Sequence, residues 1–307
     1  MKSLEGVMVL TCTPLNEDYS LNEDAIRKEI DSAIERGATG IWTGGYIAEW
    51  PQLDEETRKR YLKVSVEHAG HKVFCAAGCH ATNTMQAIRL VNYAEEIGYD
   101  CAWICPTAPR KASEIEIYEH YKMIIEKTNL PIALYNSYPI GTYMNPKLIA
   151  KIAGISNRII AMKEMVGDFC HIVGLYNEGV HRKLKIFGVE YNMLPHLMLG
   201  APGVLTGSDF VSVVSAAYKA FRSGNMEKAW ELQKLMVEQS PLIIPQTAGL
   251  ALGSKVEHSG IGYQKAKCSI ATGVDMGPPM PPYRPASEAE LERARREVEI
   301  LKSVNTQ

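Results

Sequence analysis

Short apolar runs alternate with amphipathic segments along most of this chain, and that alternation sets the first expectation. Eight runs are apolar without strict polar alternation: Gly6 to Thr11, Gly40 to Gly44, Lys72 to Gly78, Cys101 to Pro106, Pro131 to Asn136, Ile159 to Glu164, Leu184 to Gly188 and Gly203 to Gly207. Runs of this kind suit strands covered on both faces, the condition of a parallel sheet. The segments between them read as helices with defined ends. In the first, Asn22 offers a cap, Ile26, Ile30, Ala33 and Ile34 share one face, and Gly37 can take the left-handed conformation that ends a helix. Ser113 and Glu116 have capping-box spacing ahead of Ile117, Tyr121, Ile124 and Ile125, and Asn145-Pro146 supplies a cap and a first-turn proline. Further helices are expected at 55–69, 84–97, 168–178, 191–199 and 210–222. Strand–helix units repeated in this way, with right-handed crossovers, predict a (β/α)8 barrel. A doubly wound open sheet competes, but no glycine-rich dinucleotide fingerprint follows the first strand.

The strand pattern stops after residue 223. Helices are expected through Met226 to Gln239 and across 245–272, and Gly277 to Pro285 is too proline-rich for anything but an extended connector. Ser287 with Glu290 then opens a charged helix through Leu301. The expected organisation is a catalytic barrel over 1–223 and a C-terminal helical region over 224–307.

Composition narrows the partners. The 307 residues carry 33 Lys plus Arg against 35 Asp plus Glu, a formal charge of -2, so no basic field favours nucleic acid. No apolar run approaches the length of a membrane span, and residues 1–20 lack a basic segment leading into a cleavable apolar one, so a cytoplasmic protein is expected. The seven cysteines sit in apolar surroundings at spacings unlike a zinc knuckle or redox turn, and read as reduced core residues, with no metal site.

In such a barrel reactive groups gather at the C-terminal ends of strands, which singles out Tyr135 and Lys163. Lys163 stands in the apolar run Ile159-Ile160-Ala161-Met162-Lys163-Glu164, where burying an ammonium is expensive. Desolvation frees such an amine to attack a ketone and form a Schiff base. The residues alone leave open the alternative of a lysine paired with Glu164 or a neighbouring carboxylate.

Gly45 to Glu49 with Pro51 and Leu53, then Leu134-Tyr135-Asn136, then Ala161 to Asp168 around Lys163, resemble the dihydrodipicolinate synthase and N-acetylneuraminate lyase family. The likeness runs nearly end to end, and Tyr135 and Lys163 are 28 positions apart, as in that family. The resemblance implies a (β/α)8 barrel with a helical C-terminal part, usually a homotetramer, whose lysine condenses with a 2-oxo acid while the tyrosine passes protons. It implies no cofactor beyond that covalent Schiff base, and a structural role for Glu49.

Departures from the pattern bear on the substrate. The family's Gly-Thr-Thr-Gly-Glu loop is Gly45-Tyr46-Ile47-Ala48-Glu49 here, so a bound carboxylate would rely on backbone N–H groups of this loop, around Ile47 and Ala48, or on a new donor. Ala108 stands where synthases carry a tyrosine, and Tyr46 either takes over the proton relay across the space left there or merely plugs the pocket. No arginine follows Asn136 in Ser137 to Thr142, which argues against dihydrodipicolinate synthesis proper. His80 replaces a small residue, as a proton carrier or as a neutral loop histidine. Gly188 and Glu190 after the seventh strand, with Thr206 and Ser208 after the eighth, are candidates for lining the pocket; by resemblance to the sialic-acid-cleaving members Glu190 accepts from substrate hydroxyls, and otherwise it is a rim glutamate pointing to water. Arg110-Lys111 either attracts an acidic substrate or belongs to an ordinary solvated loop.

The expected function is a class I lyase cleaving or forming a 2-oxo acid of pyruvate type plus an aldehyde through an iminium and enamine on Lys163. Dehydration of a keto-deoxy sugar acid by the same Schiff base is the alternative, a Schiff-base enzyme whose substrate is not pyruvate-like is a third, and a barrel that binds a sugar acid without turning it over is the reading from another class.

Overall fold

In a computed structural model, residues 2–106, 112–137, 143–166, 168–239 and 260–303 are described. Eight parallel strands close into a barrel: β1 (Gly6–Leu10), β2 (Gly40–Thr43), β3 (Phe74–Gly78), β4 (Cys101–Ile104), β5 (Ile132–Asn136), β6 (Ile159–Glu164), β7 (Lys185–Val189) and β8 (Gly203–Gly207), with β8 pairing back onto β1. A helix follows each strand: α1 (Glu23–Glu35), α2 (Glu55–Ala69), α3 (Thr84–Glu96), α4 (Glu114–Lys127), α5 (Pro146–Ala153), α6 (Phe169–Asn177), α7 (Met193–Met198) and α8 (Val211–Arg222). The (β/α)8 barrel is therefore the fold, and the open doubly wound sheet is excluded because no strand edge is left unpaired.

Alternation along each strand sorts side chains into two layers. Met8, Trp42, Trp103, Ala133, Phe187 and Leu205 fill the barrel interior. Ile41, Cys75, Ala102, Leu134, Met162 and Ile186 face outward against the helices. The large rings Trp42 and Trp103 stand beside the small residues Ala76 and Ala133 on neighbouring strands, an alternation of sizes that suits a packed interior.

The predicted helix ends are present. Asn22 accepts from the Ala25 N–H, Gly37 has φ 105°, Ser113 and Glu116 form the capping box, and Asn145 caps α5 with Pro146 in its first turn. The segment 191–199 begins instead with a 3-10 turn at Glu190–Asn192, and α7 is short, with Pro195 in its first turn, where a missing N–H costs nothing.

Beyond the barrel, α9 (Met226–Glu238) packs on α8, and the Ile261–Thr272 and Glu288–Ser303 helices pack on each other. Of the helix expected across 245–272, the part before residue 260 lies outside the described residues. Six cysteines are buried as expected of core thiols, whereas Cys170, the second residue of α6, is exposed. Among the described residues no helix is long and apolar enough to cross a membrane.

Candidate active site

Parity along β6 decides where its two ionisable residues go. Ala161 and Lys163 face the barrel interior while Met162 and Glu164 face the helices. Glu164 is taken up there: its Oε2 lies 3.1 Å from His171 Nε2 of α6 and accepts from Asn136 Nδ2 at 3.3 Å, and its Oε1 accepts from the Val166 N–H. The lysine–Glu164 pair that the sequence left open is thus excluded by the strand's own alternation.

Lys163 is 3% exposed at the C-terminal end of the barrel, in direct register with Tyr135. Its Nζ lies 4.6 Å from the Tyr135 ring centroid and 4.9 Å from that of Trp42. Burial lowers the amine from the ordinary lysine value to about 7, with the Glu190 carboxylate pulling the other way. Glu190 opens the turn after β7, and burial raises its carboxyl to about 7. Both groups line one cavity at the barrel mouth, together with Ile47 and Met165. Among the described residues no cluster of three or more His, Cys, Asp or Glu side chains is placed to hold a metal ion.

Tyr135 sits just behind the cavity wall. Its hydroxyl donates to Met165 Sδ at 3.5 Å, and burial raises its pKa strongly. Met165 is the cover between that hydroxyl and the cavity, and a flexible thioether can swing aside at little cost.

The loop after β2 is held by two unusual contacts. A side chain at Gly78 would collide with the Gly44 carbonyl, so the ends of β2 and β3 approach as only glycine permits. Glu49, fully buried with φ 60°, pairs with Lys265 Nζ at 3.1 Å and accepts from the Met280 N–H, and Lys265 also donates to the Thr13 and Pro278 carbonyls. The C-terminal segment thereby clamps this loop. Within it the Ala48 and Glu49 N–H groups are used by the turn itself, bonding Gly45 and Tyr46 carbonyls. The Tyr46 and Ile47 N–H groups have no backbone partner among the described residues. The expected role of Ala48 as a backbone donor is corrected accordingly.

Tyr46 is half-buried with its phenol near that of Tyr283 in the connector; burial is the main reason its pKa rises to about 12. Ala108, across which a relay was envisaged, lies outside the described residues, as do Arg110 and Lys111. His80 is fully buried among Trp42, Trp50 and Tyr135, and its Nδ1 accepts from the Cys105 N–H at 3.0 Å. Burial, with Arg58 and Lys163 nearby, drives its pKa well down, so the ring is neutral. It does not reach the cavity lining.

Two expected lining residues are also corrected. A side chain on Gly188 would meet His196 of α7, and Thr206 alternates with the inward Leu205, so both face the helix layer. Ser208 likewise turns outward, donating to Glu29 of α1 at 2.5 Å. The residues that do complete the cavity are Asp209, Gln264 and Lys267. Lys267, 1% exposed, lies 3.3 Å from both Asp209 Oδ2 and Glu297 Oε2, and Gln264 donates to Asp209 Oδ1 at 2.9 Å. Trp42 was missed as well. Its inward parity was readable in Ile41-Trp42-Thr43, but the reach of the C-terminal helix back to the barrel mouth left no mark in the sequence.

The Dihydrodipicolinate synthetase family matches the chain over residues 3–299. A 4-hydroxy-tetrahydrodipicolinate synthase of Methanopyrus kandleri is 27% identical over 302 residues, covering 97% of this chain and 96% of that protein. An uncharacterized DapA-like lyase of Thermococcus onnurineus is 30% identical over 232 residues, 74% of this chain and 79% of that one. Among solved structures, YagE, a prophage protein of E. coli K12 in complex with pyruvate, superposes with a TM-score of 0.85 at 22% identity, covering 97% of this chain and 99% of its own. CdNal of Clostridium difficile in complex with mannosamine has a TM-score of 0.83 at 20% identity, covering 99% and 100%.

Proposed function

The chain belongs to the dihydrodipicolinate synthetase family, and from that premise we propose that it is a class I lyase acting on a 2-oxo acid and an aldehyde through a Schiff base at Lys163. The observation that carries this reading is the desolvated Lys163 amine, in register with Tyr135 and facing a cavity it shares with Glu190. The amine's lone pair attacks the ketone carbon, and the carbonyl oxygen leaves as water with one proton from nitrogen and one from an acid. In the cleavage direction a base takes the proton of the hydroxyl on the fourth carbon, the bond between the third and fourth carbons breaks with its electrons moving into the iminium to give an enamine, and the fourth carbon departs as an aldehyde. The enamine then takes a proton, and water releases the 2-oxo acid. Tyr135 is the proton carrier of this scheme once Met165 moves aside, and the Tyr46 and Ile47 N–H groups are donors for the substrate carboxylate. The iminium is itself the electron sink, so the chemistry calls for no metal or organic cofactor.

Pyruvate in one fold relative and mannosamine in another support a 2-oxo acid joined to a hydroxylated aldehyde as the substrate class. Assembly into a homotetramer belongs to the same proposal. Apolar side chains left exposed on three helices, Phe169 on α6, Met198 on α7 and Trp230 on α9, support it.

A second reading has its own observation. A carboxyl raised to about 7 beside the amine suits protonation of a departing hydroxyl, so Glu190 favours dehydration of a sugar acid through the same iminium. Borohydride reduction in the presence of a panel of 2-oxo acids, read by intact mass and peptide mapping, tests the shared intermediate. A mass increment on Lys163 is the expected outcome; none with any compound would leave a ligand-binding barrel.

Two further outcomes are expected. An amine lowered to about 7 gains its neutral, nucleophilic form as pH rises through that value, so the trapping rate should climb between about pH 6 and 8 and then level off. An ordinary lysine would still be climbing at pH 10. With the half-buried Tyr46 phenol beside Tyr283 of the connector, Tyr46→Phe should leave kcat within about twofold and lower thermal stability by roughly 1 kcal/mol at most. A hundredfold fall in kcat would reinstate Tyr46 as the relay.

A further inference from the structure

We propose that Trp42 is a catalytic residue whose indole face stabilises the positive charge that appears on the Lys163 nitrogen when the iminium forms. This rests on the Schiff-base reading above and goes beyond it. The Nζ atom stands 4.9 Å from the Trp42 ring centroid, inside the roughly 6 Å over which a cation is attracted by a ring face, and tryptophan has the strongest such face.

The ring is built into place. Trp42 is fully buried, stacked on Trp103 at 4.7 Å and 21°, and met edge-on by Tyr135 and His80. Its indole Nε1–H, like those of Trp50 and Trp103, has no hydrogen-bond partner among the described residues, although a buried unpaired donor is costly. The position therefore makes no use of the polar edge of the side chain and presents only its face. An aliphatic residue would fill the barrel interior without that cost.

Stabilisation of this kind counts toward catalysis only if it is larger for the charged intermediate than for the starting amine. The ammonium form would gain from the same face and from Glu190, but it carries three N–H groups that need acceptors, and no carboxylate among the described residues lies within ion-pair distance of Lys163. Burial therefore favours the neutral amine. Condensation converts that amine to an iminium with a single N–H and a charge shared between nitrogen and carbon. The change from neutral amine to cation occurs over a ring already fixed to receive it, with the Tyr135 face 4.6 Å away.

Graded fluorination of tryptophan tests this, since each fluorine weakens the ring face while hardly changing its shape. The full-length enzyme is made with tryptophan and with its mono-, di- and trifluoro analogues. The equilibrium constant for the pyruvate iminium is then read as the borohydride-trapped fraction against pyruvate concentration. The expected result is a stepwise weakening, roughly threefold to tenfold across the series. The Trp42→Leu variant should start weaker and show no dependence on fluorination. Trp42→Phe, which keeps a weaker face, should fall between natural enzyme and Trp42→Leu. A flat series in the natural enzyme would overturn the proposal, whether or not the variants fold, as would an equal slope in Trp42→Leu. Absence of trapping at Lys163 with every carbonyl compound would remove the Schiff-base reading first, and is thereby distinguishable from trapping that is insensitive to fluorine.

Discussion

Lys163→Met is expected to abolish borohydride trapping and to lower turnover on the order of a thousandfold or more, while leaving the barrel as stable as before or slightly more so. The loss of rate follows because, among the described residues, Lys267 is the one other amine lining the cavity, and it is held between two carboxylates. The stability half of the prediction is the sharper one. A lysine that served the fold would weaken it on removal. Lys163 instead occupies a largely apolar interior where burial lowers its proton affinity more than the neighbouring Glu190 raises it, so a methionine of similar length removes a desolvation cost. Turnover and thermal melting of the same variant check both halves. A large drop in melting temperature together with modest loss of rate would mean that Lys163 is structural.

Lys265→Met should do the reverse, costing about 3–5 kcal/mol of stability. Glu49 and Lys265 are both buried, and the ammonium also holds two carbonyls, Thr13 and Pro278, from opposite ends of the chain. Removing the cation strands a carboxylate whose pKa is already raised by burial. Chemical denaturation measures the loss, and Glu49→Gln combined with Lys265→Met should recover part of it, because no uncompensated charge then remains. Additive losses in the double variant would show that the pair is not coupled. Since this clamp fixes the loop that carries the Tyr46 and Ile47 N–H groups, a weaker KM for the 2-oxo acid should accompany the loss of stability.

These two lysines show how far a linear sequence can be read. Both are cations in largely apolar segments, and local pattern does not separate them. Lys163 is legible because it stands at the end of a strand, where the barrel rule and the tyrosine 28 positions earlier give it a partner. Lys265 is opaque because its partner lies more than two hundred positions away, in a loop at the other end of the chain. Gln264 and Lys267 were missed for the same reason. Gly188 and Thr206 failed differently: each is near the right strand end, but a shift of one position along a strand moves a side chain to the opposite face.

Short-range periodicity and end signals were enough to determine the strand–helix alternation, the caps at Asn22, Ser113 and Asn145, and through them a closed barrel with Tyr135 and Lys163 at its mouth. These are consequences of backbone geometry, which repeats every two or 3.6 residues and so is written locally. The composition of the cavity was decided only by the tertiary structure. Which carboxylate approaches the amine, which indole faces it, and which C-terminal side chains return to the barrel mouth all depend on contacts between distant segments, and no local period encodes those.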